Sequence, residues 1–320
     1  MILLLCPMGS GKTYSTSKLV ERDFIANKTV IVLSTRRVQS SFFASSYNFK
    51  NYLDAPPGPL DLSHNWVVCL NSLHRVIRAD MTVPKIDLFI CDEINSVAEV
   101  LGTPGLSNAH KTTSEIWDMF TLIVNTAQKV MFMDGLPTGM MFDMFDLCGW
   151  TAQMHVLQKT TMSDFRTYIF HESPWSFQGK FESLIKEKKV VMVSNAKKEL
   201  EAFVSLAPET TKIMSITGDS SSDTKKTAGD PDKYWGNLDV LCYNGAVGPG
   251  PSFDKKSHFD VLFCYISPTL SFPVNIMQLI HRIRTMSDSK VHVFIKPYNH
   301  EQKKTRESIS KKMAMSTAAF

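Results

Sequence analysis

Residues 2–13 read Ile2-Leu3-Leu4-Leu5-Cys6-Pro7-Met8-Gly9-Ser10-Gly11-Lys12-Thr13. An apolar run of this length predicts a buried strand, and the small residues after it predict a sharp turn into a helix. Gly9 and Gly11 permit that turn and let backbone N–H groups close on an anion. In such a loop Gly9, Ser10 and Gly11 cradle phosphates, Lys12 reaches the β- and γ-phosphates, and the Thr13 hydroxyl holds Mg²⁺. The reading is a nucleotide site for ATP with Mg²⁺. Cys6 stands where this motif has its first glycine.

Working outward, short apolar strands alternate with helical stretches, the pattern of an α/β protein with parallel sheets covered by helices. The expected strands are Ile2–Cys6, Thr29–Ser34, Trp66–Leu70, Ile86–Cys91 and Lys129–Met133, then Thr167–His171, Val190–Val193, Lys212–Ile216, Val240–Tyr243, Val261–Ile266 and Val291–Ile295. They fall into two groups, which predicts domains at residues 1–160 and 161–320, with the boundary near Gln158 to Ser163 and a Lys-rich tail at the end. A chain of 320 residues is long enough for two cores. The 35 Lys and Arg against 31 Asp and Glu leave +4, a balance that permits a polyanionic partner without requiring one.

Six scattered cysteines with no Cys-x-x-Cys pair read as small buried side chains in a reducing compartment, not as zinc ligands or disulfides. No stretch approaches the ~20 apolar residues of a membrane span. A soluble intracellular protein without membrane attachment is expected.

At Ile86-Asp87-Leu88-Phe89-Ile90-Cys91-Asp92-Glu93 a second strand ends in two carboxylates. Open α/β sheets bind ligands at the carboxyl ends of their strands, so these groups would sit beside the phosphate loop if the two strands were neighbours. Asp92 would then hold Mg²⁺ and Glu93 would orient and deprotonate an attacking water. Near the other end, Gln278-Leu279-Ile280-His281-Arg282-Ile283-Arg284 places two arginines two apart on an expected helix, where they point in different directions. An arginine offered by a second lobe can neutralise transition-state charge on a γ-phosphate. Arg36, Arg37, Ser72, Arg75, Ser194, Asn195 and Ser252, at strand ends, are suitable donors to the phosphates of a nucleic-acid strand. Nothing resembles a base-reading module, so binding without sequence specificity is expected.

Taken together, these stretches resemble the superfamily 2 helicases, most nearly the helicase core of herpesvirus-type replication origin-binding proteins. The resemblance keeps the family's motif order over almost the whole chain. Cys6–Thr13 looks like motif I, and Val30–Phe43 with Thr35, Arg36 and Arg37 looks like motif Ia. Leu70–Arg75 is similar to motif Ib, Asp92-Glu93 to motif II, and Met133–Leu136 stands at motif III. Val191–Lys198 with Ser194 and Asn195 resembles motif IV. Tyr243–Gly245 with Gly250–Asp254 resembles motif V, and Gln278–Arg284 resembles motif VI. His281 replaces the family's usual glycine, and Arg284 is one position short of its second arginine.

The resemblance implies two tandem RecA-like P-loop domains closing on ATP, with Glu93, Gln278, Arg282 and Arg284 catalytic. It also implies that Thr35 joins the nucleic-acid contacts, and that Asp134, Gly250 and Asp254 couple nucleotide state to the strand. The expected activity is ATP-driven movement on single-stranded or duplex nucleic acid, DNA favoured over RNA, with replication proteins as further partners. Two other classes fit parts of the pattern. A P-loop kinase of a small molecule or nucleotide would use Lys12 and the arginines, and a decayed helicase-like scaffold would bind nucleic acid without hydrolysis.

Overall fold

The computed structural model describes residues 1–6, 10–23, 28–102, 112–135, 137–156, 166–247, 252–268 and 273–297. Gly9, Gly250, the expected boundary and the Lys-rich tail lie outside the described residues.

The first sheet is built from β1 (Ile2–Leu5), β2 (Val30–Ser34), β3 (Lys50–Asn51), β4 (Trp66–Cys69), β5 (Leu88–Asp92), β6 (Val130–Asp134) and β7 (Gln153–Val156). All pairs are parallel, in the order β3-β4-β2-β5-β6-β1-β7. The helices α1 (Lys12–Asp23), α2 (Arg37–Tyr47), α3 (Ile94–Leu101), α4 (Thr113–Thr126) and α5 (Gly139–Cys148) connect these strands. Val30 to Ser34, Trp66 to Cys69 and Leu88 to Asp92 are buried throughout, because helices cover both faces of a parallel sheet. One core face includes Leu33, Phe89 and Phe132, and the other Val32, Ile90 and Met133.

The second sheet holds β8 (Thr167–Phe170), β9 (Val190–Ser194), β10 (Ile213–Ile216), β11 (Val240–Tyr243), β12 (Val261–Ile266) and β13 (Lys290–Ile295), also parallel, ordered β10-β11-β9-β12-β13-β8. Its helices are α6 (Pro174–Leu184), α7 (Lys197–Val204), α8 (Ser222–Thr227), α9 (Pro231–Tyr234) and α10 (Pro273–Ile280). Val38 of α2 packs into this sheet's core with Ile216, Trp235 and Val247, so the two lobes share apolar contact.

The strand pattern expected from sequence is present, with two additions and one reordering. β3 has two residues and β7 is exposed along its whole length, so neither carries the apolar run that marks a buried strand. β5 is not a neighbour of β1; β6 stands between them. The expected helix through both arginines also ends early. α10 stops at Ile280, and Ile283 forms a bridge with Phe253. Five cysteines are buried and Cys148 is half-buried, all six as free thiols. Among the described residues no helix is long and apolar enough to cross a membrane.

Candidate nucleotide site between two lobes

Parallel register brings Leu5, Asp134 and Asp92 to the same edge of the first sheet: Leu5 pairs with Asp134, and Asp92 with Met133. Cys6 N–H donates to the Asp134 carbonyl at 3.0 Å, which carries β6 alongside the start of the loop. Gly11 follows with φ +83°, a left-handed conformation that strains any residue with a Cβ. α1 begins at Lys12, so Thr13 lies in its first turn.

These placements converge across the intervening β6. Thr13 Oγ1 donates to Asp92 Oδ2 at 2.8 Å, and Lys12 Nζ donates to the Cys6 carbonyl at 2.8 Å. Asp92 is 3% exposed and its Oδ1 accepts no hydrogen bond. Burial pushes its carboxyl above the usual range, while the Lys12 charge and the Thr13 hydrogen bond pull the other way. A buried carboxylate oxygen left open, beside a hydroxyl and an ammonium, is a donor set that fits Mg²⁺ and the phosphates it accompanies. Ser10 and Gly11 are exposed at the loop, consistent with a surface that receives a ligand.

Glu93 is held by backbone as much as by side chain. Its φ of 63° and ψ of 57° place a non-glycine residue in the left-handed region at the N-cap of α3. Such a conformation costs of order 1–3 kcal/mol and persists where surrounding bonds enforce it. Here the next peptide supplies one: Asn95 N–H donates to Asp134 Oδ2 at 2.8 Å, and the Thr138 hydroxyl donates to Asn95 Oδ1. Asp134, read from sequence as a coupling residue, is therefore buried against the turn that presents Glu93. Burial pushes the Glu93 carboxyl up to about 8, and the Asp134 and Asp92 charges add to the effect while Lys12 and Arg282 oppose it.

The second lobe reaches this group. Gln278 Nε2 donates to Glu93 Oε2 at 3.1 Å. One turn earlier on the same face of α10, Asn275 Nδ2 donates to Glu99 Oε2 at 3.1 Å. Two side-chain ties thus hold α10 to α3 and its N-cap. Arg166 clamps the C-terminus of α10 and the segment after it, the guanidinium donating to the carbonyl of Ile280 at 2.7 Å and to that of Ile283. The Tyr243 hydroxyl donates to the Leu279 carbonyl at 2.8 Å. Arg282 is 5% exposed; burial lowers its guanidinium to about 10, the nearby Tyr243 and Glu93 opposing.

Other sequence candidates fall elsewhere. Arg284 pairs with Asp254, Nε to Oδ1 at 3.7 Å, so two residues given separate roles meet each other. Arg36 donates to the Gly245 carbonyl across the lobes, and Thr35 N–H and Oγ1 both donate to Gln39 Oε1, at 2.8 and 3.1 Å. Arg37 is exposed, Ser72 is half-buried, and Ser252 lies 3.5 Å from Asp254 Oδ2.

Three candidates need correction as strand contacts. Arg75 spends its guanidinium on the carbonyls of Gly58 and Tyr52, each at 2.8 Å, and of Pro56, pinning the Pro-rich loop. Ser194 is fully buried, and its hydroxyl accepts from Ala196 N–H at 3.0 Å. Asn195 exchanges two hydrogen bonds with the Ser267 backbone, at 2.6 and 2.7 Å. Asn275, Glu99 and Arg166 were missed. The spacing of Asn275 to Gln278 was a readable signal for the first; the other two belong to no sequence motif.

Two lobes, each a parallel sheet covered by helices, make a tandem RecA-like architecture. The chain belongs to the origin of replication binding protein family, whose model matches residues 1–202 and 220–312. It is 23% identical to the replication origin-binding protein of Gallid herpesvirus 2, over 92% of this chain and 40% of that protein. Among solved structures it is similar to Saccharomyces cerevisiae Dbp5 bound to RNA and ADP–BeF3, with a TM-score of 0.67, 12% identity, and 98% of this chain and 82% of that one covered. It is also similar to the Mycobacterium smegmatis helicase Lhr bound to single-stranded DNA and AMP-PNP, with a TM-score of 0.60, 12% identity, and coverage of 92% and 44%. The chain spans less than half the length of the curated relatives it matches.

Proposed function

We propose that this chain hydrolyses ATP between its lobes and uses the cycle to move along or open nucleic acid in DNA replication, as a superfamily 2 helicase or translocase. The observation that carries the reading is the meeting of three motifs at one place: Thr13 on Asp92, and Gln278 on the adjoining Glu93 from the other lobe. Lys12 and Thr13 would hold the phosphates and Mg²⁺ with Asp92. The cation, when bound, supplies charge neutralisation at the phosphates. Glu93 accepts the proton of the attacking water, a role for which a carboxyl raised toward neutrality is suited. Gln278 fixes the carboxylate's orientation through its amide. Arg282, held out of water next to Glu93, offers charge where the γ-phosphate's negative charge develops.

A small-molecule kinase would have no use for the Glu93–Gln278 contact across lobes, and a decayed scaffold would have no reason to keep Asp92 buried with an open oxygen. DNA is favoured over RNA because relatives of this chain are named replication origin-binding proteins.

The test is ATP turnover by the purified chain with and without single-stranded DNA or RNA. Turnover raised by a strand, together with loss of ATP binding in Lys12→Ala at unchanged folding, is the expected result. Normal turnover by Lys12→Ala ends the nucleotide-site assignment. Transfer of phosphate to a small acceptor with no response to a strand would favour the kinase.

A further inference from the structure

A groove of about 1020 Å³ runs along the flank of α2, between the first lobe and α8 of the second. It is separate from the nucleotide site. Lys50 and Trp66, which line it, are the first residues of β3 and β4, whereas Asp92 and Asp134 stand at the carboxyl ends of their strands. Its floor on α2 carries Ser41, Ala44 and Ser45, side chains small enough to leave the helix surface open. A Cβ added at Gly229 would lie 3.8 Å from Ser41 Cβ, so the segment after α8 closes directly on that floor.

We propose that this groove binds a single strand of nucleic acid leaving the cleft past Arg37; the proposal rests on the strand-binding reading above and extends it to a flank no sequence motif marked. The lining carries four cations, Arg37, Lys50, Lys225 and Lys226, against one carboxylate, Asp54. The lining therefore carries a surplus of three positive charges. The cations come from both walls, Arg37 and Lys50 from one lobe and Lys225 and Lys226 from the other, as a phosphate backbone passing between them requires. Lys50 lies over the Trp66 ring with Nζ 5.7 Å from its centroid, and Lys226 pairs with the exposed Asp223 at 3.6 Å. The Lys226–Asp223 pair is exposed and yields to a phosphate, and the Lys50 ammonium is free to leave the ring it lies over. Because the walls belong to different lobes, the strand's grip on the groove depends on how the lobes sit.

The test compares the full chain with a Lys50→Ala/Lys226→Ala double variant, both lysines being exposed, using labelled oligothymidylates of about 8 and about 16 nucleotides. The wild type is expected to bind the longer one about tenfold more tightly. The double variant should lose most of that gain, and its slope of log K against log salt on the longer strand should fall by about 1.4, at ~0.7 per phosphate contact. Binding of the short strand and the melting temperature should stay unchanged. A variant that keeps both the gain and the slope overturns the groove and leaves the strand-binding reading standing. Binding of neither oligothymidylate by the wild type overturns both. Equal displacement of the long strand by polyglutamate of the same length would make the groove a surface for any acidic polymer and overturn the assignment to nucleic acid.

Discussion

At the cleft the first lobe presents two buried carboxylates, Asp92 and Asp134, beside the half-buried Glu93, while the second presents a buried cation, Arg282. Each set is costly by itself. Three negative charges at one sheet edge repel, which is why Asp134 and Asp92 raise Glu93, and a guanidinium out of water gives up hydration. Brought together, Glu93 and Arg282 offset each other's burial. The comparison teaches that neither lobe carries both signs of charge at the cleft, so the groups assigned to the chemistry meet only where the lobes do.

The largest effect is expected from breaking that complement. Arg282→Ala should lower strand-stimulated turnover by ~10²-fold or more with little loss of ATP binding, because the interaction belongs mainly to the transition state. It should also move a pH profile. In the nucleotide-free protein Glu93 ionises near 8, so kcat/KM should rise with pH through that region as the base loses its proton. Arg282 holds that value down, and its removal should carry the rise to higher pH. A silent Arg282→Ala, or a profile that does not shift, sinks the two-lobe mechanism.

A smaller effect should come from α10's second tie. Asn275→Ala removes the hydrogen bond to Glu99 and leaves Gln278 in place, so α10 loses one of two points fixing it along α3. A fall in kcat of about fivefold, with KM for ATP nearly constant, is expected. Glu99→Gln retains an acceptor for Asn275 and should stay near wild type, while Glu99→Ala should match Asn275→Ala, with the double mutant no worse than either. Additive losses would show that the two residues act separately.

Much of this was readable in the chain, for identifiable reasons. Strands such as Val30–Ser34 and Val190–Ser194 are buried on both faces, so they appear as unbroken apolar runs. Gln153–Val156 is exposed throughout and carries no such mark. Lys12 and Thr13 stood out because they follow a glycine turn at fixed local spacing, and Asp92 and Glu93 because they end an apolar strand; the structure then joins Thr13 to Asp92. The order of β1, β6 and β5 was not, since nothing local states which strands are neighbours. Arg75 and Ser194 were misread because a guanidinium serves a carbonyl as well as a phosphate, and a hydroxyl accepts from a backbone N–H two residues on as readily as it meets a strand. The Glu99–Asn275 tie joins residues from different lobes and has no local pattern.

The smallest effect at the cleft, and a check on treating the lobes as electrically distinct, concerns acid. Far from Glu93, the second sheet buries His292 at 4% exposure, stacked on Phe263 with ring centroids 4.7 Å apart. Its Nδ1 shares a hydrogen bond of 2.9 Å with His171 Nε2, and His171 Nδ1 lies 3.0 Å from the Ser176 hydroxyl. Burial lowers His292 to about 4, with the His171 and Lys180 charges adding to it and Asp288 opposing, and burial lowers His171 as well. The unfolded chain would take up a proton near 6.5, before the folded lobe does. Stability from this pair is therefore present above 6.5 and lost as pH falls toward 4. The loss by pH 5 should be about 1–2 kcal/mol, seen as a lower melting temperature. His292→Phe keeps a ring against Phe263 and removes the titration, so the acid slope should flatten while the neutral-pH rise in kcat/KM set by Glu93 stays where it was. If His292→Phe moved that rise, the two lobes would share one titrating network, and the contrast between an alkaline-sensitive first lobe and an acid-sensitive second would fail.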